Sequence, residues 1–354
     1  MQMSYFYHNL GGTMMKSKKL FVIFPIAALI FFMVFSGLYA QSGIKPSKIE
    51  RVGLSGWQFL KINGSARQAA MGGAFTATSH GDAGAILGNP AALTDVENVS
   101  ASFGKVNWIA DIGYQSACIV KRFGSIGVFG LSFVSVDMGD MAETINSPIP
   151  GEDRTEAVVT GNTFTASDMA VGLSYAKRIT DRLSIGGNAR WIREKIAEVS
   201  MTNVSIDFGT VYYTGFHSLR LAMVARNFGP DTHLVGWSEK YQAEAVDIRM
   251  PLDFRVGMAM DFFESKESPH FLTVAVEGIH PNDGPERINM GAEYSLGKML
   301  YLRGGYRFNY DEEGFTFGGG LNYNLSGVAA KINYAYVDFG RLQKVNMFSV
   351  GFSF

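Results

Sequence analysis

The sequence predicts an all-β protein: a transmembrane antiparallel β-barrel of about fourteen strands with a small N-terminal helical hatch in or under its lumen. Three observations carry this. Period-two alternation recurs about fourteen times from residue 99 to the end, with no helical periodicity. One parity of these strands is large and often aromatic, while the other is Gly, Ser, Asn, Arg, Asp and Lys. The connections alternate between short and long. In a transmembrane barrel the apolar face meets lipid and the polar face meets a lumen, and every backbone group must be paired, so the sheet closes.

Composition agrees. Of 354 residues 47% are hydrophobic, 18% charged and 13% aromatic, and 41 are Gly. Lys and Arg number 31 against 32 Asp and Glu, so no basic excess marks a nucleic-acid partner. The single Cys118 excludes a disulfide framework and a multi-cysteine metal site. High apolar content with little net charge excludes a disordered chain.

The chain opens with an export signal. Lys16, Lys18 and Lys19 precede an uncharged run from Leu20 to Phe35, followed by Ser36-Gly37-Leu38-Tyr39-Ala40. This is a basic n-region, an apolar h-region and a small-residue cleavage site, read as residues 1–40 with cleavage after Ala40. The run is shorter than the roughly 20 residues a spanning helix needs, and Pro25 interrupts it. Met14 or Met15 is a candidate start. Residues 1–40 hold three lysines and no acid, so the mature chain has 28 bases and 32 acids, a net charge of -4.

Residues 41–98 form the hatch segment. The run Gly64 to Phe75 is rich in small residues and suits a short helix that stops at Gly72-Gly73. A second helix is expected to start at Pro90, with Asn89 as its N-cap.

The barrel occupies 99–354. Val99, Ala101 and Phe103 alternate with Ser100, Ser102 and Gly104. Later, Phe254, Val256 and Met258 alternate with Asp253, Arg255, Gly257 and Ala259, and Ile332 and Tyr334 alternate with Lys331 and Asn333. Short turns are expected at Phe123-Gly124, Ile179–Arg182, Thr214–His217, Leu296–Lys298 and Asn324–Ser326, and two long loops at Asp137–Asn162 and Phe228–Met250. Short periplasmic turns and longer outer loops are the asymmetry of outer-membrane barrels. An even strand count then puts both barrel termini in the periplasm.

The residues Phe59-Leu60-Lys61, then GSARQAAMGGAFTA and GNPAAL, resemble the start of the PorV/PorQ family of outer-membrane proteins, relatives of the FadL long-chain fatty-acid transporters. The matched positions are Met71, Gly72, Gly73, Ala74, Asn89, Pro90, Ala91 and Leu93. The chain departs at Gly88, where Trp is usual, and at Ala92, where Gly is usual. The resemblance implies a fourteen-stranded barrel with a hatch. It also implies a role as a type IX secretion component, binding secreted cargo and partner components at the outer surface. The alternative is a FadL-like channel for hydrophobic small molecules. A terminal aromatic on the last strand, Phe352 and Phe354, resembles the recognition signal of the barrel-assembly machinery.

No catalytic, cofactor or metal site is expected. The histidines lack ligand spacing, and Gly318-Gly319-Gly320 lies in a strand pattern with no following helix. Lumen-parity charges are Arg220, Arg226, Asp253, Arg255, Asp261, Arg287, Glu293, Arg303, Arg307 and Lys331. They read as a salt-bridge network that fills the lumen and holds the hatch, or as a polar path or anionic-ligand site. Asp137, Asp140, Glu143, Glu152, Asp153 and Glu156 make one expected outer loop acidic. That loop is either solvated, a dock for a basic partner, or a weak divalent-cation site. Trp237 and Tyr241 in the other long loop are candidate membrane-edge anchors or cargo contacts.

Overall fold

A computed structural model describes residues 53, 55–78, 81–151, 153–232, 237–238, 243–244, 247–263, 269–325 and 327–354. The expected signal, residues 1–40, lies outside them, as do residues 41–52, Glu152 and Tyr241.

Fourteen antiparallel strands close into one barrel. They are β1 (Val99–Asn107), β2 (Gly113–Arg122), β3 (Val128–Pro148), β4 (Thr155–Arg178), β5 (Leu183–Ile196), β6 (Val199–Tyr213) and β7 (Arg220–Phe228). After the small pair β8 (Trp237–Ser238) and β9 (Ala243–Glu244) come β10 (Asp253–Phe262), β11 (His270–Pro281), β12 (Arg287–Leu296) and β13 (Leu300–Phe308). The last three are β14 (Phe315–Leu325), β15 (Val328–Asp338) and β16 (Lys344–Ser353). Each strand pairs with its chain neighbour in the ring, β7 passes directly to β10, and β1 closes on β16 from Ser100↔Ser353 to Asn107↔Asn346. The shortest strands have nine residues, and a tilted strand needs about 9–11 to cross a bilayer's hydrocarbon.

The two strand faces differ as the alternation requires. Phe103, Leu131, Leu173, Met258, Leu302 and Ile332 point outward and are exposed, whereas inward Ser100, Ser132, Ser174, Asp253 and Arg303 are buried. A continuous exposed apolar band around a closed sheet is a lipid-facing surface.

One expectation is corrected. The stretch Asp137–Asn162 is not a loop. β3 and β4 stay paired to Ser147↔Glu156 and Pro148↔Thr155, so the true connection is only residues 149–154. Register shifts interrupt this pairing between Asp137 and Asp140 and between Ala142 and Thr144. Each bulge breaks the period-two pattern. Above the ring both faces of the hairpin meet water, so no apolar parity marks the strand. β2 stops pairing with β3 at Asp137, and β5 begins pairing with β4 at Ala166. The hairpin above those points therefore has two free edges. The Phe228–Met250 connection remains a connection; among its described residues it carries the short β8–β9 pair and an isolated bridge between Thr232 and Ile248.

The interior is filled by the N-terminal segment. A five-residue α-helix, Ala66–Ala70, packs against β13 to β16, while a 3₁₀-helix, Pro90–Asp95, packs against β4 to β6. Touching opposite sides of the ring places the segment within it. The approach is close because the wall offers glycine there: a Cβ on Gly291 or Gly305 would overlap the backbone of Met71 and Gly72. Gly72 and Gly73 have φ of +69° and +81°, the left-handed turn that ends the helix.

Gly305→Leu should therefore push the segment off the wall. We expect a loss of about 1–3 kcal/mol, read as a lower thermal midpoint in detergent, and new trypsin cleavage at Arg67.

Candidate functional site

The site begins with how the segment is held. Asn89 is fully buried and makes three contacts at once. Its Oδ1 accepts the Ala91 backbone N–H at 3.0 Å, capping the 3₁₀-helix, and its Nδ2 donates to Thr76 O at 2.9 Å and to Thr210 O on β6 at 3.2 Å. Pro90 fills the first helical position and Leu93 is fully buried. A Cβ at Gly88 would overlap the Phe75 ring, so here Phe75 occupies the space beside a glycine. Met71 and Ala74 are buried, and Gly72 N–H donates to Thr316 Oγ1 at 2.9 Å.

Buried charges fasten the segment to β10–β13. Arg67 donates to both oxygens of Glu293 at 2.9 Å, and Arg303 Nε donates to Glu293 Oε2 at 2.5 Å. Arg255 grips Asp253 through two bonds of 2.8 and 2.9 Å and Glu277 at 3.1 Å. Glu277 in turn accepts the backbone N–H groups of Phe75 at 3.1 Å and Thr76 at 2.9 Å. Arg307 donates to Gly72 O at 3.2 Å and pairs with Glu313. Lys61 binds Asp283 at 2.5 Å.

The ten lumen charges read from the sequence thus fall into separate sets. Asp253 with Arg255, Glu293 with Arg303, and Arg220 with Asp261 (2.8 Å) are brought together. Arg226, Arg287 and Lys331 form no ion pair among the described residues. Arg226 reaches Leu60 O at 3.2 Å, and Arg287 lies over the Tyr310 ring at 4.5 Å from its centroid. The Nε atoms of Arg226 and Arg287 are buried without a partner. Sequence reading missed Arg67, Lys61, Glu277, Asp283, and the pair Arg190–Asp207 at 2.5 Å. Strand parity could have found Glu277, Arg190 and Asp207. Nothing local marks Arg67 or Lys61, whose hydrogen-bonded carboxylates lie more than 200 residues away.

The acids of the expected loop are dispersed. Asp137, Asp140, Glu143 and Glu156 sit on the hairpin strands and Asp153 at its tip, while Glu152 lies outside the described residues. Glu143 accepts Thr160 Oγ1 at 2.6 Å and Asn162 Nδ2 at 2.9 Å, which holds its carboxyl below the usual range. Among the described residues no three His, Cys, Asp or Glu side chains gather as a metal site would require. At the C-terminus Phe354 N–H donates to Val99 O at 2.9 Å, and Phe352 pairs with Ala101 and Ala330.

Above the segment, at the end carrying the long connections, lies a cavity of about 690 Å³. Its apolar part is lined by Phe59, Trp108, Val136, Met138, Met201 and Phe339. Arg226, Arg255, Arg287 and Arg307 line another part, and Asp168 and Glu194 a third. Such a volume suits a small organic ligand, for which pockets of about 300–1,000 Å³ are usual.

No protein-family model matches the chain, and no curated protein matches it. Several solved barrels share its fold. The monoaromatic hydrocarbon channel CymD is 14% identical at a TM-score of 0.51, covering 82% of this chain and 97% of that one. The toluene transporter TbuX of Ralstonia pickettii is 14% identical at 0.52, covering 82% and 98%. The toluene transporter TodX of Pseudomonas putida is 10% identical at 0.54, covering 82% and 99%. At such identities the likeness shows the fold alone: a closed antiparallel barrel of fourteen strands. Nothing in it points to the PorV/PorQ family in particular.

Asn89→Ala should remove a cap worth about 1 kcal/mol and strand two buried carbonyls at about 1–3 kcal/mol. The expected result is a lower thermal midpoint in detergent, with Asn89→Asp, which keeps the capping oxygen, falling between the two.

Proposed function

We propose that this chain is an outer-membrane channel for hydrophobic small molecules. The loop-end cavity is the binding station, and residues 41–98 are a hatch beneath it. The cavity carries this reading: it is largely apolar, sized for one small ligand, and open to the loop end of a barrel whose centre is occupied. The occupied centre argues against a free aqueous pore and for a bound permeant that passes the segment in a separate step. Solved barrels of the same fold named for monoaromatic hydrocarbons and toluene add support. In this reading the loop end faces outward, both barrel termini face the periplasm, the signal is removed after Ala40, and Phe352 and Phe354 serve barrel assembly.

Filling the cavity tests it. Val136→Trp with Met138→Trp should cut uptake of a labelled hydrophobic probe several-fold in cells that depend on this protein, with outer-membrane abundance unchanged. Uptake at the native rate would remove the proposal.

One observation favours a second reading, a type IX secretion component. The β3–β4 hairpin projects above the ring with free edges and excess acid, a shape for binding a secreted protein or partner component. Deleting 140–156 should then abolish cargo export while the barrel still inserts; unchanged export would leave the channel reading alone.

A further inference from the structure

The inner wall pairs its buried carboxylates with bases. Asp253 and Glu277 share Arg255, Glu293 holds Arg67 and Arg303, Asp261 holds Arg220, Asp207 holds Arg190, and Asp283 holds Lys61. Asp168 and Glu194 depart from this pattern. They face each other directly across the β4–β5 pair, and both line the cavity. Asp168 is only 6% exposed, yet no hydrogen bond or ion pair reaches it from the described residues. Glu194 has no basic partner among the described residues. Directly opposed side chains stand about 5 Å apart at Cβ, where like charges repel.

The chain's own bases do not relieve this repulsion. Arg193 and Lys195 flank Glu194 on the exposed parity of β5; Arg193 donates to Ser200, and Lys195 borders the cavity but makes no ion pair with either carboxylate. Arg190 points inward but is engaged by Asp207 and by Asn227 at 2.7 Å. Arg226 is separated from β4 by β5 and β6, three strand spacings or about 14 Å.

The surroundings select among cations. Trp57, Trp108, Val136, Met138, Ile196 and Met201 supply apolar and aromatic surface to the same cavity. The indole Nε1–H of Trp57, a residue 1% exposed, is buried without an acceptor. Calcium takes about 6–8 oxygen ligands, and among the described residues no third carboxylate joins these two. An organic ammonium needs fewer oxygens, gains from aromatic faces, and brings hydrocarbon that the walls can cover.

We propose that the Asp168–Glu194 pair receives the ammonium head of an amphiphilic amine whose hydrocarbon body occupies the apolar part of the cavity. This rests on the reading of the cavity as a hydrophobic ligand site, and the test separates the two.

Calorimetry on the full-length protein in non-ionic detergent would compare octylammonium with 1-octanol, equal in chain length. The native protein should bind octylammonium at least tenfold more tightly. D168N/E194Q, which removes the repulsion without adding bulk, should reduce that advantage to less than twofold and leave octanol binding unchanged. Equal binding of both probes to the native protein would overturn the amine assignment and leave the cavity reading standing. Binding of neither would overturn the cavity reading itself. Calcium binding lost in the double variant, with no preference for octylammonium, would assign the pair to a metal and overturn the proposal.

Discussion

A strand in hydrocarbon has no water to satisfy its N–H and C=O groups, so each must find a partner in another strand. The rest of this structure follows from that requirement. An open sheet of fourteen strands would leave two unpaired edges in lipid; the β1–β16 pairing removes both. Once the ring is closed, alternation decides everything about its surfaces. The outward parity takes the aromatics and aliphatics, and the inward parity takes the polar and small residues.

Closure also creates the problem that the N-terminal segment solves. A ring of this size encloses more space than inward Ser, Gly and Ala can fill. The segment enters that space and brings buried backbone groups with it. Its amides find side chains on the wall, two N–H groups on Glu277 and one on Thr316, while the segment's own Asn89 takes one N–H and donates to carbonyls of Thr76 and, on the wall, Thr210. The ion pairs of Arg67 and Lys61, with the hydrogen bond from Arg307 to Gly72 O, do the long-range registration. Buried salt bridges contribute little net stability because desolvation offsets the attraction, but breaking one partner is costly. Such pairs define one position for the segment beneath the cavity more than they strengthen it.

The cavity lies where two different wall heights meet. β7 and β10–β13 are short and carry the arginines at their loop ends, whereas β3–β6 rise higher and carry the carboxylate pair. Four arginines, with Asp253 and Glu313 among them, thus line one side of the cavity and the carboxylates Asp168 and Glu194 another, with apolar surface between. Elsewhere on the inner wall the buried carboxylates are neutralised locally, so the unpaired carboxylates belong to the cavity and not to the barrel as a whole.

The strand count, the closed class of the fold and the short helices about Gly72-Gly73 and Pro90 were legible in the sequence, because each is encoded over a few residues: period-two alternation, a left-handed glycine turn, a capped proline start. The hairpin was not legible, since two bulges and solvent on both faces erase the alternation on which strand reading depends. The charge sets were half legible. Parity names inward residues such as Asp253 and Arg303, but whether Arg303 meets Glu293 or Arg226 stays unpaired depends on register and on a segment more than 100 residues distant in the chain. The isolation of Asp168 and Glu194 was likewise hidden, because it consists of what fails to approach them. The sequence by itself determined which face of each strand meets lipid, since burial alternates with chain position. Only the tertiary structure decided which inward charges are satisfied and which are left without a partner, since that is settled by distances between strands that the sequence does not order in space.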